Sequence, residues 1–247
     1  MTKCEQLSGA LLSSHLNEIL MNIIPIAYYH SELPTKFGVP RQSGLVPELI
    51  GHIVFEDGYA DADALRGIEG FDYLWLIWEF SLNGKEVGEW SPLVRPPLLG
   101  GNEYVGVFAT RSPFRPNALG LSSVRLLGVE KNGSRLALVV AGADLVDGTP
   151  IYDIKPYVEY ADAHTGVRNG FVDRKEWKKV EVRFPAELRV FWSDKDFTAL
   201  CKVLELDPRP QYHNDQQRVY GMPFAGYDVR FRVSLDGILE VVAVEKI

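Results

Sequence analysis

The spacing of apolar positions changes along the chain. In residues 1–21, Leu11, Leu12, His15, Leu16, Ile19 and Leu20 recur at helical spacing, which predicts a short amphipathic helix as an N-terminal extension. From residue 22 to about 160 the apolar runs become brief and rich in β-branched and aromatic residues. They predict strands over 23–28, 50–55, 73–80, 104–108, 122–130, 135–141 and 151–157. Gly and Pro punctuate the gaps, at Gly44, Gly58, Pro92, Pro96-Pro97, Gly100-Gly101 and Asp147-Gly148. Asn132-Gly133 between two alternating segments predicts a hairpin, because Asn-Gly supports the primed turns. A short helix fits 61–65. Many short strands with few helices predict a mainly β fold, an antiparallel β-barrel over 22–162, since closure leaves no exposed strand edge.

Residues 163–182 are polar, charged and turn-rich, and read as a linker. Beyond it, 183–247 predicts a small α+β domain. A strand lies near 180–184, a helix spans 194–206, and two strands over 227–234 and 238–245 are joined at Asp236-Gly237. Asp194 and Asp196 favour the helix start, and Pro208 lies just past its end.

Composition narrows the class. The 247 residues are 46% hydrophobic and 24% charged, an ordinary globular balance. Cys4 and Cys201 stand far apart, which fits a reducing compartment rather than a disulfide framework. No run approaches the roughly 18 apolar residues of a membrane span. The short apolar run 7–12 lacks a cleavage site, so a cytoplasmic protein with no membrane partner is expected. The net charge of −7 speaks against wholesale non-specific nucleic-acid binding. It is uneven, however: residues 22–165 carry 11 Lys/Arg against 18 Asp/Glu, while 166–247 carry 14 against 13. Arg168, Arg174, Lys175, Lys178, Lys179 and Arg183 form the most basic stretch, a local place for a polyanion.

Several enzyme classes drop out. There is no Gly-x-Gly-x-x-Gly after a strand, no Walker A loop and no Gly-x-Ser-x-Gly elbow. His15, His30, His52, His164 and His213 lack metal-ligand spacing, so no metal is expected. What remains is one dense loop, from Phe108 through Arg111 and Arg115 to Ser122. Its prolines stiffen it, and an Arg fork holds a carboxylate or phosphate in bidentate geometry. The residues alone leave an ordinary solvated loop equally open. Asp144-Leu145-Val146-Asp147-Gly148-Thr149-Pro150 leads into Asp153-Ile154-Lys155-Pro156-Tyr157, where Asp153, Lys155 and Tyr157 share one strand face. That face suits proton transfer, or equally a plain outer surface with an Asp–Lys pair. Pro40-Arg41-Gln42 offers another fork, and Asp207-Pro208-Arg209-Pro210-Gln211-Tyr212 an unusual turn.

These stretches, in this order, resemble the TrmO family, also called YaeB or TsaA-like. The likeness is carried by Val39-Pro40-Arg41-Gln42, Gly67-Ile68-Glu69-Gly70-Phe71-Asp72-Tyr73-Leu74-Trp75, Val94-Arg95-Pro96-Pro97, residues 106–122, 144–157 and 207–212. It covers about residues 23–245. The resemblance implies a methyltransferase built on a single-sheet β-barrel with a small C-terminal domain, dimeric, that moves a methyl group from S-adenosylmethionine to N6 of threonylcarbamoyladenosine beside the tRNA anticodon. Carried over by position, Pro40, Arg41, Gln42, Ser81, Leu82, Arg111, Leu121, Asp144, Leu145, Val146 and Asp147 would contact the cofactor. Two positions depart from the family pattern: Ser81 stands where a His is common, and Ala118 where a Pro is common. The carbamoylated N6 is amide-like, so attack calls for a base and for stabilised charge. Asp147 is the expected base, and Lys155 or Arg115 the expected anion stabiliser. The basic stretch 168–183 and the barrel rim would meet RNA. Two other readings stay open, a non-catalytic S-adenosylmethionine or nucleotide sensor and an enzyme of this fold with another substrate.

Overall fold

The computed structural model describes residues 22–83, 89–133, 135–174, 178–210 and 215–247. The helix expected over 1–21 lies outside these residues, as do Lys175, Gln211 and Tyr212. Eight strands come first: β1 (Ala27–His30), β2 (Ile50–Phe55), β3 (Tyr73–Glu79), β4 (Leu93–Val94), β5 (Val105–Gly106), β6 (Leu119–Asn132), β7 (Arg135–Ala141) and β8 (Thr149–Pro156). A one-turn helix α1 (Glu159–Asp162) follows. The remainder is β9 (Glu181–Arg183), helix α2 (Asp194–Glu205), β10 (Tyr220–Phe224), β11 (Tyr227–Val233) and β12 (Ile238–Lys246).

The expected barrel forms from six of these strands. Their order is β1-β2-β7-β6-β3-β8, and β8 pairs back onto β1, so the antiparallel sheet closes. Period-two alternation decides what fills it. On β3, Leu74, Leu76 and Trp78 point inward and are buried, while Tyr73 faces solvent. Ser122, Val124 and Leu126 of β6 face them, with Tyr29, Ile53, Leu138, Val140 and Ile151 completing the core. Gly120 is required here: a Cβ at that position would lie 2.2 Å from the Trp78 indole.

A second core lies between α2 and the sheet β10-β11-β12-β9, in which β9 pairs with β12 in parallel. Ser193 caps α2 by accepting from the Asp196 backbone N–H at 3.2 Å. Ala199, Leu200, Val203 and Leu204 of the helix meet Met222, Phe224, Val229 and Phe231 of the sheet. The long loop between β1 and β2 also enters this core through Leu33, Val46 and Leu49. Gly38 permits the approach, with φ of 99° and a would-be Cβ 2.6 Å from the Met222 sulfur. The two cores are thus stitched together by a segment of the barrel's own chain.

Several elements differ from their sequence expectation. The first strand starts at Ala27 rather than 23, beyond Pro25, and Ile23 and Ile24 are exposed. The strand expected over 104–108 is two residues long and turns into a 3₁₀ turn at Val107–Ala109. Strand β10 was unexpected because Gly221 and Pro223 lie inside it; it is an edge strand of its sheet, where Pro is tolerated. No helix among the described residues is long and apolar enough to cross a membrane.

Candidate functional site

Antiparallel closure places three long connections at one end of the barrel. The loop 31–49 joins β1 to β2, 80–118 joins β3 to β6, and 142–148 joins β7 to β8. Direct contacts tie these loops together. The Arg111 guanidinium donates to the Gln42 side-chain oxygen, and the Lys36 ammonium to the Leu82 carbonyl. The Gly44 N–H donates to the Gly142 carbonyl at 2.8 Å. Within the long loop, the Asn83 amide donates to the Pro113 carbonyl at 3.1 Å.

Behind this rim runs a directed chain of hydrogen bonds. The Trp78 indole N–H donates to the Ser122 hydroxyl oxygen at 2.9 Å, and the Ser122 hydroxyl donates to Asp144 Oδ1 at 2.5 Å. Since the indole can only donate, the hydroxyl proton is left for the carboxylate. Burial raises the Asp144 pKa, against the lowering effects of the Ser122 hydroxyl, the Arg111 charge and the Ser43 backbone N–H. The rim therefore presents a half-buried carboxylate beside an exposed guanidinium and an amide. No group of three or more His, Cys, Asp or Glu among the described residues is placed to hold a metal ion.

Comparison with known proteins meets this geometry. Residues 28–163 match the model of the tRNA-methyltransferase O N-terminal domain, and 178–247 that of the TrmO C-terminal domain. The chain belongs to the TrmO family. It is 38% identical over 228 residues to the Escherichia coli protein named tRNA (adenine(37)-N6)-methyltransferase, covering 89% of this chain and 96% of that protein. An Eikenella corrodens protein of the same name is 41% identical over 172 residues, 66% of this chain and 91% of that one. The crystal structure of TrmO from Pseudomonas aeruginosa superposes with a TM-score of 0.73 at 30% identity, over 92% of this chain and 99% of that one.

The residues expected from the TrmO pattern fall into two groups. Gln42, Arg111 and Asp144 meet at the barrel mouth, with Ser81 and Leu82 at the start of the same loop as Arg111, both exposed. The others are used differently. Arg41 is no open fork: its guanidinium donates to the carbonyls of Leu206 and Asp207, both at 2.9 Å, so it clamps the C-terminal end of α2. Asp207 in turn holds the fork of Arg209 at 2.8 Å on each oxygen, which accounts for the unusual turn there. Pro40 is buried, and Leu145 is a core residue at 1% exposure, leaving only its backbone for a ligand. The Val146 carbonyl accepts from the Thr149 hydroxyl. Leu121 is exposed on the outer barrel face, opposite in phase to Ser122.

Asp147, the expected base, and Lys155 and Arg115, the expected anion stabilisers, are not gathered in one place. Lys155 sits six residues beyond the start of β8, about 20 Å along the strand from the mouth. It pairs there with Asp153 at 2.8 Å, the plain outer-surface arrangement. Arg115 turns back to donate to the Thr110 and Ser112 carbonyls, bracing its own loop. Asp147 has its Oδ1 3.1 Å from His30 Nδ1 and accepts the Ser31 N–H at 3.0 Å. It borders a hollow of about 260 Å³ lined also by His30, His52, Glu48 and Lys195, and it alone of the expected residues lies there. Ala118 adopts φ of 43°, a left-handed conformation that a proline ring held near −65° cannot enter.

Trp78, Ser122 and His30 were missed. For Ser122 the signal was available, since it is a hydroxyl in the inward phase of β6, between Gly120 and Val124. A buried hydroxyl there needs a partner.

Proposed function

We propose that the chain methylates N6 of adenine 37 in tRNA with S-adenosylmethionine as methyl donor, that the base carries a threonylcarbamoyl group, and that two copies act as a homodimer in the cytoplasm. Membership of the TrmO family supports the reaction. The observation that carries the site is the convergence of Gln42, Arg111 and Asp144 from three separate loops at one barrel mouth.

The donor set fits this cofactor. S-adenosylmethionine bears a sulfonium and an ammonium as well as a carboxylate, and the mouth offers Asp144 beside Arg111 and Gln42. Leu82, exposed at the start of the loop that carries Arg111, supplies apolar surface. When bound, the cofactor supplies a methyl group already activated by its sulfonium. The chain is then asked for alignment and for a nucleophilic nitrogen. Ser122 and Trp78 hold Asp144 in one orientation, and Arg115 keeps the loop of Arg111 in shape. A carbamoylated N6 has a delocalised lone pair, so its proton must leave as attack occurs. In this reading Asp147 accepts it, its exposed carboxylate being steadied by Ser31 and His30.

Incubation of threonylcarbamoylated tRNA with methyl-labelled cofactor and the protein tests the reading. Label in the modified adenosine is expected, and Asp147→Asn should slow single turnover at least about 100-fold at neutral pH. Label confined to unmodified adenosine would overturn the substrate, and no label at all the reaction.

A further inference from the structure

We propose that the exposed face of the β4–β5 ribbon is a stacking surface for unpaired bases of the tRNA anticodon loop. This rests on the reading of tRNA as substrate and adds the surface that receives it.

The ribbon pairs Leu93 with Gly106 and Val94 with Val105, and the Val107 N–H extends the pairing to the Pro92 carbonyl at 3.0 Å. Alternation sorts its side chains. Val94 and Val107 are buried beneath it. The opposite face carries Leu93, Arg95, Tyr104 and Phe108, with Tyr104 58% and Phe108 72% exposed. The Trp90 ring lies 6.0 Å from that of Phe108 at an interplanar angle of 26°. At the other end the Arg95 guanidinium covers the Tyr104 ring at 4.5 Å. Two flat stacking surfaces are thus presented in sequence, one a stacked aromatic pair and the other an arginine over a phenol.

Such surfaces suit nucleobases, whose faces stack on aromatic rings and guanidinium planes regardless of sequence. Arg95 brings a cation onto the face itself, although the chain as a whole carries −7 and Glu103 stands at the ribbon tip. The loop that follows Phe108 carries Arg111 to the barrel mouth. At the ribbon tip Glu103 meets Arg174 of the basic stretch at 3.1 Å, which joins the two regions into one surface. The ribbon is also anchored to the arginine loop by the Ser91 N–H on the Phe114 carbonyl at 3.1 Å. A base extruded into the mouth therefore leaves its neighbours beside these rings.

Fluorescence anisotropy with a synthetic anticodon stem-loop, beside a fully paired hairpin of similar length, tests the proposal. The Trp90→Ala/Phe108→Ala double variant should bind the stem-loop about 10- to 100-fold more weakly, with little change for the paired hairpin. Its salt dependence should match that of the parent, while Arg95→Ala should flatten the slope, since only the arginine displaces counterions. Calorimetry with S-adenosylmethionine checks that the mouth is intact. Stem-loop affinity within twofold of the parent would overturn the proposal. So would a loss that follows a change in sedimenting mass, which would assign the face to a second copy. If the parent bound no RNA, the substrate reading itself would fall.

Discussion

Ser122 occupies a position where a valine or leucine would fill the barrel, and its hydroxyl is only 2% exposed. Its oxygen takes the Trp78 indole N–H, and its proton goes to Asp144. Replacing it by alanine leaves a buried donor and a half-buried carboxylate without their shared partner. Ser122→Ala should cost about 1–3 kcal/mol in urea unfolding. It should also weaken S-adenosylmethionine binding in calorimetry, because Asp144 loses its fixed orientation. A variant as stable and as tight as the parent would remove the chain of bonds from the account. Asp144 itself gives a pH test. Burial raises its pKa in the folded state, so its contribution to stability is full below the ordinary carboxylate range and is lost as pH rises through the raised value. Asp144→Asn keeps an acceptor for Ser122 and abolishes that loss. Its Tm relative to the parent should therefore rise from pH 4 to pH 8, while cofactor affinity falls. A Tm difference constant with pH would contradict the burial argument. Gln42, Arg111 and Asp144 were legible from ordered motifs. Ser122 and Trp78 were not assigned, because their meeting depends on the register of β3 against β6.

At the level of elements, Arg41 shows how a motif residue can act through architecture. It reaches across 165 positions to the carbonyls that end α2, and burial lowers its pKa against the raising effect of Asp207. Arg41→Ala should destabilise the chain by about 2–3 kcal/mol, since charged hydrogen bonds to buried carbonyls are among the stronger ones. Calorimetry on the folded variant should show the cofactor binding within a few-fold of the parent. Strong loss of affinity at unchanged stability would return Arg41 to the cofactor. No spacing rule pairs residue 41 with residues 206 and 207, so this contact could not be read from the chain. Strands β2 and β7, and helix α2 nearly to its last residue, were readable from periodicity and capping. Strand β10 was not, because Gly221 and Pro223 mask a strand that only its edge position permits.

For the molecule as a whole, closure of the sheet does two things. It removes the strand edges, and it gathers three connections at a single end while sending Lys155 to the other. Alternating short strands made a barrel the expected answer. That the loop 31–49 belongs to both cores was hidden, since its apolar residues Leu33, Val46 and Leu49 have no regular period. The basic stretch is also less open than its composition suggests: Arg174, Lys179 and Arg183 each pair with a glutamate. The cofactor has two candidate seats, the barrel mouth at Gln42, Arg111 and Asp144 or the hollow at His30, His52 and Asp147. A crystal structure with S-adenosylhomocysteine, the stable product, decides between them. Ligand in contact with Gln42, Arg111 and Asp144 is expected, and ligand seated against His30 and His52 with the mouth unchanged would contradict the proposed site.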